Sequence, residues 1–222
     1  MDQARWTEVD RYLDEMIVGS DAALDAALVD VAAAGMPPIS VTPAQGKLLH
    51  IQARMIGARR ILEVGTLGGY STIWLARAVP PDGMVVTLEI DTGNAAVARA
   101  SIERAGLSDR VDIRTGRAVD TLAALETERV EPFDLVFIDA DKPADPEYLA
   151  WALRLTRVGS VIIVDNVVRG GGVVDSATMD PGIAGIRRMN EMIAAEPRLL
   201  TTAIQTVGSK GYDGFAIALV VG

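Results

Sequence analysis

RILEVGTLGGYS, residues 60–71, is the stretch on which the reading of the chain turns. Ile61, Leu62 and Val64 form an apolar run short enough for a buried strand of a parallel sheet. Gly65, Gly68 and Gly69 break the run, and STIWLARAV (71–79) follows with apolar residues at helical spacing. Strand, glycine turn and helix make the first unit of an α/β nucleotide-binding fold. The glycines let the backbone turn sharply and approach a ligand, while the new helix offers unpaired N–H groups. The dinucleotide fingerprint G-x-G-x-x-G is not met, because Leu67 stands where its second glycine belongs. Instead an acid, Glu63, precedes the first glycine by two positions. That arrangement suits S-adenosylmethionine, whose ammonium and sulfonium bring positive charge where a dinucleotide brings pyrophosphate. Plain punctuation between a strand and a helix would use the same glycines.

Downstream, MVVTLEI (84–90), RVDIRTG (110–116), FDLVFID (133–139) and SVIIVDN (160–166) read as four further strands. Helical stretches NAAVARASIERAG (94–106), AVDTLAAL (118–125) and roughly Asp145–Leu155 separate them. Such alternation implies a parallel sheet wrapped by helices on both faces. The end of the chain differs. After a helix in IRRMNEMIAAE (186–196), TTAIQTVG (201–208) and GFAIALVV (214–221) are joined by so few residues that they must form an antiparallel hairpin. Five parallel strands closed by an antiparallel pair resemble the sheet of class I methyltransferases.

Upstream, two helices precede the alternation: Ala4–Val18, with Trp6, Val9, Leu13, Met16 and Ile17 near one face, and DAALDAALVDVAAA (21–34), with Ser20 as its expected N-cap. A third, about Pro43–Ile56, leads into the first strand. Residues 1–40 are expected to form a helical cap, over the sheet or as a partner-binding surface, on a single domain spanning 1–222.

The totals narrow the function. With 222 residues, half of them hydrophobic, the chain can build one sizeable core. It has no cysteine, hence no disulfide, thiolate nucleophile or zinc–sulfur site. A cytoplasmic protein is expected, since MDQARWTEVDR lacks the basic start and apolar core of a signal peptide. The most apolar run, VGSVIIVDNVV (158–168), is cut by Asp165 and Asn166 and is too short to span a bilayer. A net charge of −9 argues against a nucleic-acid partner. His50, the only histidine, stands among apolar residues without the partners that metal or acid–base roles recruit, and reads as structural.

Ligands of open α/β sheets bind outside the carboxyl ends of the strands. There the sequence places Glu63 and Gly65, Glu89 and Asp91, Asp139, and Asp165 with Asn166. Glu89 suits a ribose clamp, a role shared by nicotinamide and S-adenosylmethionine sites. Asp139, Asp165 and Asn166 come from strands expected to be neighbours. Two carboxylates and an amide oxygen are hard ligands, suited to Mg²⁺, Mn²⁺ or Ca²⁺ rather than zinc; simple capping of strands or helices is the plainer alternative. Lys142 follows closely. Beside a divalent cation its proton affinity would fall, making it a general base; otherwise it would pair with Asp141 or Asp145.

ILEVGTLGGYST, VVTLEID, FDLVFIDADK and GSVIIVDNVV, in this order and at these intervals, make the chain similar to the cation-dependent O-methyltransferases of the catechol and caffeoyl-CoA type, above all the bacterial members. The likeness extends over most of the chain from about Ser40. It implies an S-adenosylmethionine-dependent methyl transfer to a catechol-like small molecule by a homodimer. It implies that Asp139, Asp165 and Asn166 hold the metal. Glu63, Gly65 and Ser71 would contact the methionine part of the donor, with Thr66, Gly69 and Tyr70 forming the turn around it. Glu89 would take the ribose, Ala118 would lie by the adenine, Val41 would touch the donor from the cap, and Asp139 would border it. Lys142 would remove the proton from the acceptor hydroxyl. Departures from the pattern cluster on the acceptor side: Asp145 stands where many relatives have an aromatic residue, though Tyr148 is retained, Val168-Arg169 stands where an aromatic or leucine is frequent, and Gly170, Gly171 and Gly172 loosen the adjoining loop. A nicotinamide oxidoreductase and a non-catalytic nucleotide-binding module are the alternatives.

Overall fold

A computed structural model describes residues 2–222. The chain runs α1 (Gln3–Leu13), α2 (Ala22–Ala33), α3 (Pro43–Met55), β1 (Arg60–Val64), α4 (Tyr70–Ala78), β2 (Met84–Glu89), α5 (Thr92–Arg104) and β3 (Val111–Thr115). It continues through α6 (Ala118–Thr127), β4 (Phe133–Ile138), α7 (Asp145–Leu155), β5 (Thr156–Asp165), α8 (Pro181–Ala195), β6 (Leu199–Gly208) and β7 (Gly211–Val220). The strands form one seven-stranded sheet in the order β3-β2-β1-β4-β5-β7-β6. β1 to β5 are parallel, and β7 lies antiparallel to both β5 and β6. This is the class I methyltransferase sheet. Strand order reverses between β1 and β4, which opens a crevice at their carboxyl ends.

Side-chain alternation divides the core in two. Ile61, Val85, Leu135, Phe137 and Ile163 face α2 to α5, while Leu62, Val64, Val86, Val136 and Ile162 face α6 to α8. Phe137 is wholly buried, so truncating it to alanine would cost about 3–5 kcal/mol. The same alternation turns Glu63 away from Leu62 and Val64, toward α4. Gly65 carries the chain out of β1 with φ 105, and a Cβ there would run into the carbonyl of Asp139. Only glycine lets the ends of β1 and β4 approach so closely.

Several boundaries differ from the sequence expectation. The first helix is α-helical to Leu13 and then widens into a π-helical turn, Asp14–Val18, closed by Gly19. The cap of α2 is Asp21, not Ser20: its carboxylate accepts from the N–H groups of Ala23 and Leu24 and also pairs with Arg77 of α4. A carboxylate that satisfies two orphan N–H groups and a guanidinium outcompetes a neighbouring serine. β5 starts four residues early, at Thr156, because its exposed beginning still pairs with Phe133. α8 starts at Pro181, where Asp180 caps it, well before the Ile186 expected from apolar spacing.

The two N-terminal helices divide their contacts. α2 packs on α4 and α5, with Arg104 reaching Asp30. α1 crosses to the β6–β7 hairpin, where the Gln3 amide donates to the Gly208 carbonyl (2.8 Å) and Asp10 accepts from the Ser209 N–H (2.6 Å). His50 is half-buried between α3 and α4, its Nδ1 3.1 Å from the Trp74 carbonyl, in keeping with a structural role.

Candidate active site

The crevice is a cavity of about 900 Å³, toward the upper end of the roughly 300–1,000 Å³ of small-ligand sites. The turn after β1 forms one wall, with Gly65, Thr66, Tyr70 and Ser71; Glu89 and Ala118 continue it beyond β2 and β3. Val41 closes it from the segment before α3. Asp139, Lys142 and Asn166 form the other wall, at the ends of β4 and β5. Of the residues expected to hold the donor or the metal, Glu63, Gly69 and Asp165 lie outside the lining.

Glu63 is fully buried behind the turn and receives hydrogen bonds from Ser71 (2.6 Å), Thr72 (2.5 Å) and Thr87 (2.6 Å). Burial drives its pKa up to about 7 against the pull of these hydroxyls. Glu63 does not itself line the cavity; it accepts from Ser71, which does. Gly69 has φ 84 and closes the turn as the residue before α4. Glu89 does face the cavity. Its two oxygens accept from the N–H groups of Leu67 (2.8 Å) and Asp91 (2.9 Å). Each carboxylate oxygen keeps acceptor capacity for a ligand hydroxyl. The Leu67 bond requires a left-handed leucine, φ 49, so the Glu89 carboxylate and the glycine turn brace one another.

The opposite wall is built from charges. The Lys142 ammonium lies 3.1 Å from Asp139 Oδ1 and 3.1 Å from the Asp165 carbonyl, so its partner is neither Asp141 nor Asp145. Asp141 instead accepts from the Tyr148 hydroxyl at 2.5 Å. Burial alone would lower the pKa of Lys142, but Asp139, Asp145 and Asp165 outweigh it and raise it. Asp165 is buried; desolvation and then Asp139 push its carboxyl up to about 7, with Lys142, then the Gln45 side chain and the Asn166 N–H, pulling the other way. Asn166 adopts φ 60, a left-handed conformation that asparagine tolerates better than most residues.

A divalent cation fits this donor set by its chemistry. Asp139 and Asp165 are crowded carboxylates whose mutual repulsion a cation would relieve, and Asn166 adds an amide oxygen. Among the described residues no three His, Cys, Asp or Glu side chains converge on a metal, so the set depends on Asn166.

A family model described as O-methyltransferase matches residues 15–218. The chain belongs to the O-methyltransferase family. It is 50% identical over 220 residues to a catechol O-methyltransferase of Niastella koreensis, covering 99% of this chain and 100% of that one. Among solved structures it superposes on the O-methyltransferase from Bacillus cereus in complex with SAH, with TM-score 0.97, 54% identity and coverage of 99% and 100%. It matches TomG, an O-methyltransferase from Streptomyces achromogenes involved in tomaymycin synthesis and solved with SAM, equally well: TM-score 0.97, 50% identity, full coverage of both. These findings decide against a nicotinamide oxidoreductase and against a non-catalytic module.

Some residues of this O-methyltransferase's site escaped the sequence reading. Thr72 and Thr87 complete the shell around Glu63, and Gln45 turns toward Asp165 from the first turn of α3. Nothing local in the sequence marks them, because their partners lie on other elements. Lys210 sits in the β6–β7 turn, which read as a connector, yet it lines the cavity.

Proposed function

We propose that the protein transfers a methyl group from S-adenosylmethionine to one hydroxyl of a catechol-like small molecule, with a divalent cation, Mg²⁺ or else Mn²⁺ or Ca²⁺, held by Asp139, Asp165 and Asn166. The observation that carries this is the meeting of both walls in one cavity: Ser71 and Glu89 for a donor, Asp139, Asn166 and Lys142 for an acceptor. The names and bound molecules of the relatives support the same reading.

Glu89 accepts from the ribose hydroxyls, and Ser71, oriented by Glu63, meets the methionine portion. When bound, the cation would lower the pKa of an acceptor hydroxyl and fix the position of its neighbour. Lys142 takes the proton from that hydroxyl at its Nζ. The oxygen then attacks the methyl carbon, the carbon–sulfur bond breaks, and S-adenosylhomocysteine leaves. Its three neighbouring carboxylates hold Lys142 as an ammonium, so its service as a base depends on added positive charge at Asp139 and Asp165. Alignment of donor and acceptor in the cavity can supply up to about 7–11 kcal/mol of the acceleration.

The proposal extends to assembly and place. β6 is an edge strand that exposes Leu200, Ile204 and Val207, α1 beside it exposes Tyr12, and the π-helical turn that follows α1 exposes Met16 and Ile17. Such an uncovered strand edge calls for a partner, and a twofold pairing of two copies would cover it. Light scattering should give a dimer mass; a monomer at high concentration would contradict this. Among the described residues no helix is long and apolar enough to cross a membrane, and the cytoplasm remains the proposed location.

The function is tested by incubating the protein with S-adenosylmethionine, Mg²⁺ and a catechol panel, and reading the mass gain of one methyl. Calorimetry with S-adenosylmethionine and with NAD separates the donor classes. Binding of NAD alone would overturn the proposal.

A further inference from the structure

Two cations at the mouth of the cavity have no task in the methyl transfer. Arg169 lies in the turn after β5 and Lys210 in the turn between β6 and β7, and both line the cavity that holds Asp139, Lys142 and Asn166. The structure positions each with care. The Arg169 backbone has φ 52, and its N–H and that of Val168 donate to Asp213 Oδ1 at 2.9 and 3.0 Å. Asp213 thus anchors the backbone, and among the described residues no carboxylate lies within ion-pair distance of the Arg169 guanidinium. By contrast Arg59, Arg77, Arg104, Arg154 and Arg157 each pair with an acid. Lys210 approaches from the other side, exposed, its ammonium donating to the Ser40 carbonyl of the segment that closes the cavity. A carbonyl positions an ammonium without neutralising it.

Lys210 feels Asp139 and Asp165, and Arg169 feels Asp145, yet neither cation is paired directly with a carboxylate, so both keep donors free for a negatively charged ligand. A guanidinium fork is matched to a carboxylate, and an ammonium supplies a second donor from any direction. We infer that the methyl acceptor carries an anionic group, a carboxylate on its ring or on a short side chain, held between Arg169 and Lys210 while its hydroxyls face Asp139 and Lys142. The inference rests on the methyltransferase reading and names the acceptor class within it.

The test compares 3,4-dihydroxybenzoate, unsubstituted catechol and dopamine as acceptors of the wild-type enzyme with Mg²⁺. The benzoate should have the highest kcat/KM, through a low KM that rises with ionic strength. In Arg169→Gln and in Lys210→Met the ratio of kcat/KM for benzoate over catechol should fall by about tenfold or more. Arg169→Glu should shift preference toward dopamine. Calorimetric affinity for S-adenosylmethionine checks that each variant is folded. Methylation of all three acceptors with equal efficiency, or unchanged ratios in both variants, would overturn the inference and leave the methyltransferase reading intact. Methylation of none by a folded enzyme would overturn both. If Lys210→Met weakens S-adenosylmethionine binding and leaves the acceptor ratio alone, Lys210 serves the donor and the inference fails.

Discussion

The two walls of the cavity handle buried acids in opposite ways. On the β1–β2 side, Glu63 is fully buried but surrounded by the hydroxyls of Ser71, Thr72 and Thr87, and Glu89 is braced by backbone N–H groups. On the β4–β5 side, Asp145 is equally buried, yet both its oxygens lack a hydrogen-bond partner, and Asp139, Asp165 and Lys142 crowd the same space. Glu63 and Asp145 are both pushed by burial to a pKa of about 7. One wall is a finished network of hydrogen bonds; the other is a set of unbalanced charges. A finished network suits a site that takes one constant donor. Unbalanced charges suit a site completed by a cation and an acceptor.

The largest effect expected to sharpen this contrast is on Lys142. Lys142→Met should lower kcat by about 10²–10⁴-fold, the range of general base catalysis, with S-adenosylmethionine affinity near wild type. The loss should shrink for nitrocatechols, which arrive largely ionised. An equal loss on acidic and ordinary catechols would make Lys142 a positioning residue. On the other wall, Glu89→Ala should weaken S-adenosylmethionine binding by roughly 10–100-fold, the value of hydrogen bonds to a charged group, whether or not EDTA is present. Unchanged calorimetric affinity in a folded variant would remove Glu89 from the donor site.

Smaller and opposite in sign are the effects on stability. Glu63→Gln disturbs a satisfied network and should cost about 1–3 kcal/mol. Asp145→Asn removes a buried carboxylate that has no hydrogen-bond partner and, despite its attraction to Lys142, should stabilise by about 1–3 kcal/mol at pH 8. The pH dependence follows from the raised pKa. Asp145 takes up a proton on folding, so its favourable contribution is complete below its unfolded pKa of 3.8 and is lost as pH rises through about 7. The gain in Tm should therefore be larger at pH 8 than at pH 5. A pH-independent gain, or equal signs for the two variants, would break the contrast between the walls.

Much of this was legible in the sequence because parallel strands are short apolar runs and their carboxyl ends mark the crevice. RILEVGTLGGYS and FDLVFIDADK located both walls. What stayed illegible depends on side-chain direction or on distant partners. Glu63 has the expected position, but strand alternation turns it behind the wall rather than into the cavity. Lys142 found Asp139 rather than Asp141 or Asp145, because the turn after β4 points its ammonium back across the strand end. Lys210 and Gln45 reach the site from elements remote in sequence, and periodicity carries no record of that.

The central claim is that the charged wall becomes competent only with a divalent cation. The most direct measurement is methyl transfer to a catechol, read as the mass gain of one methyl, after exhaustive chelation and again after adding Mg²⁺ or Mn²⁺. The account predicts no transfer from the chelated enzyme, bound S-adenosylmethionine notwithstanding, and restored transfer with the metal in the wild type but not in Asp165→Ala. Full transfer by the chelated enzyme, or by a folded Asp165→Ala, would contradict it.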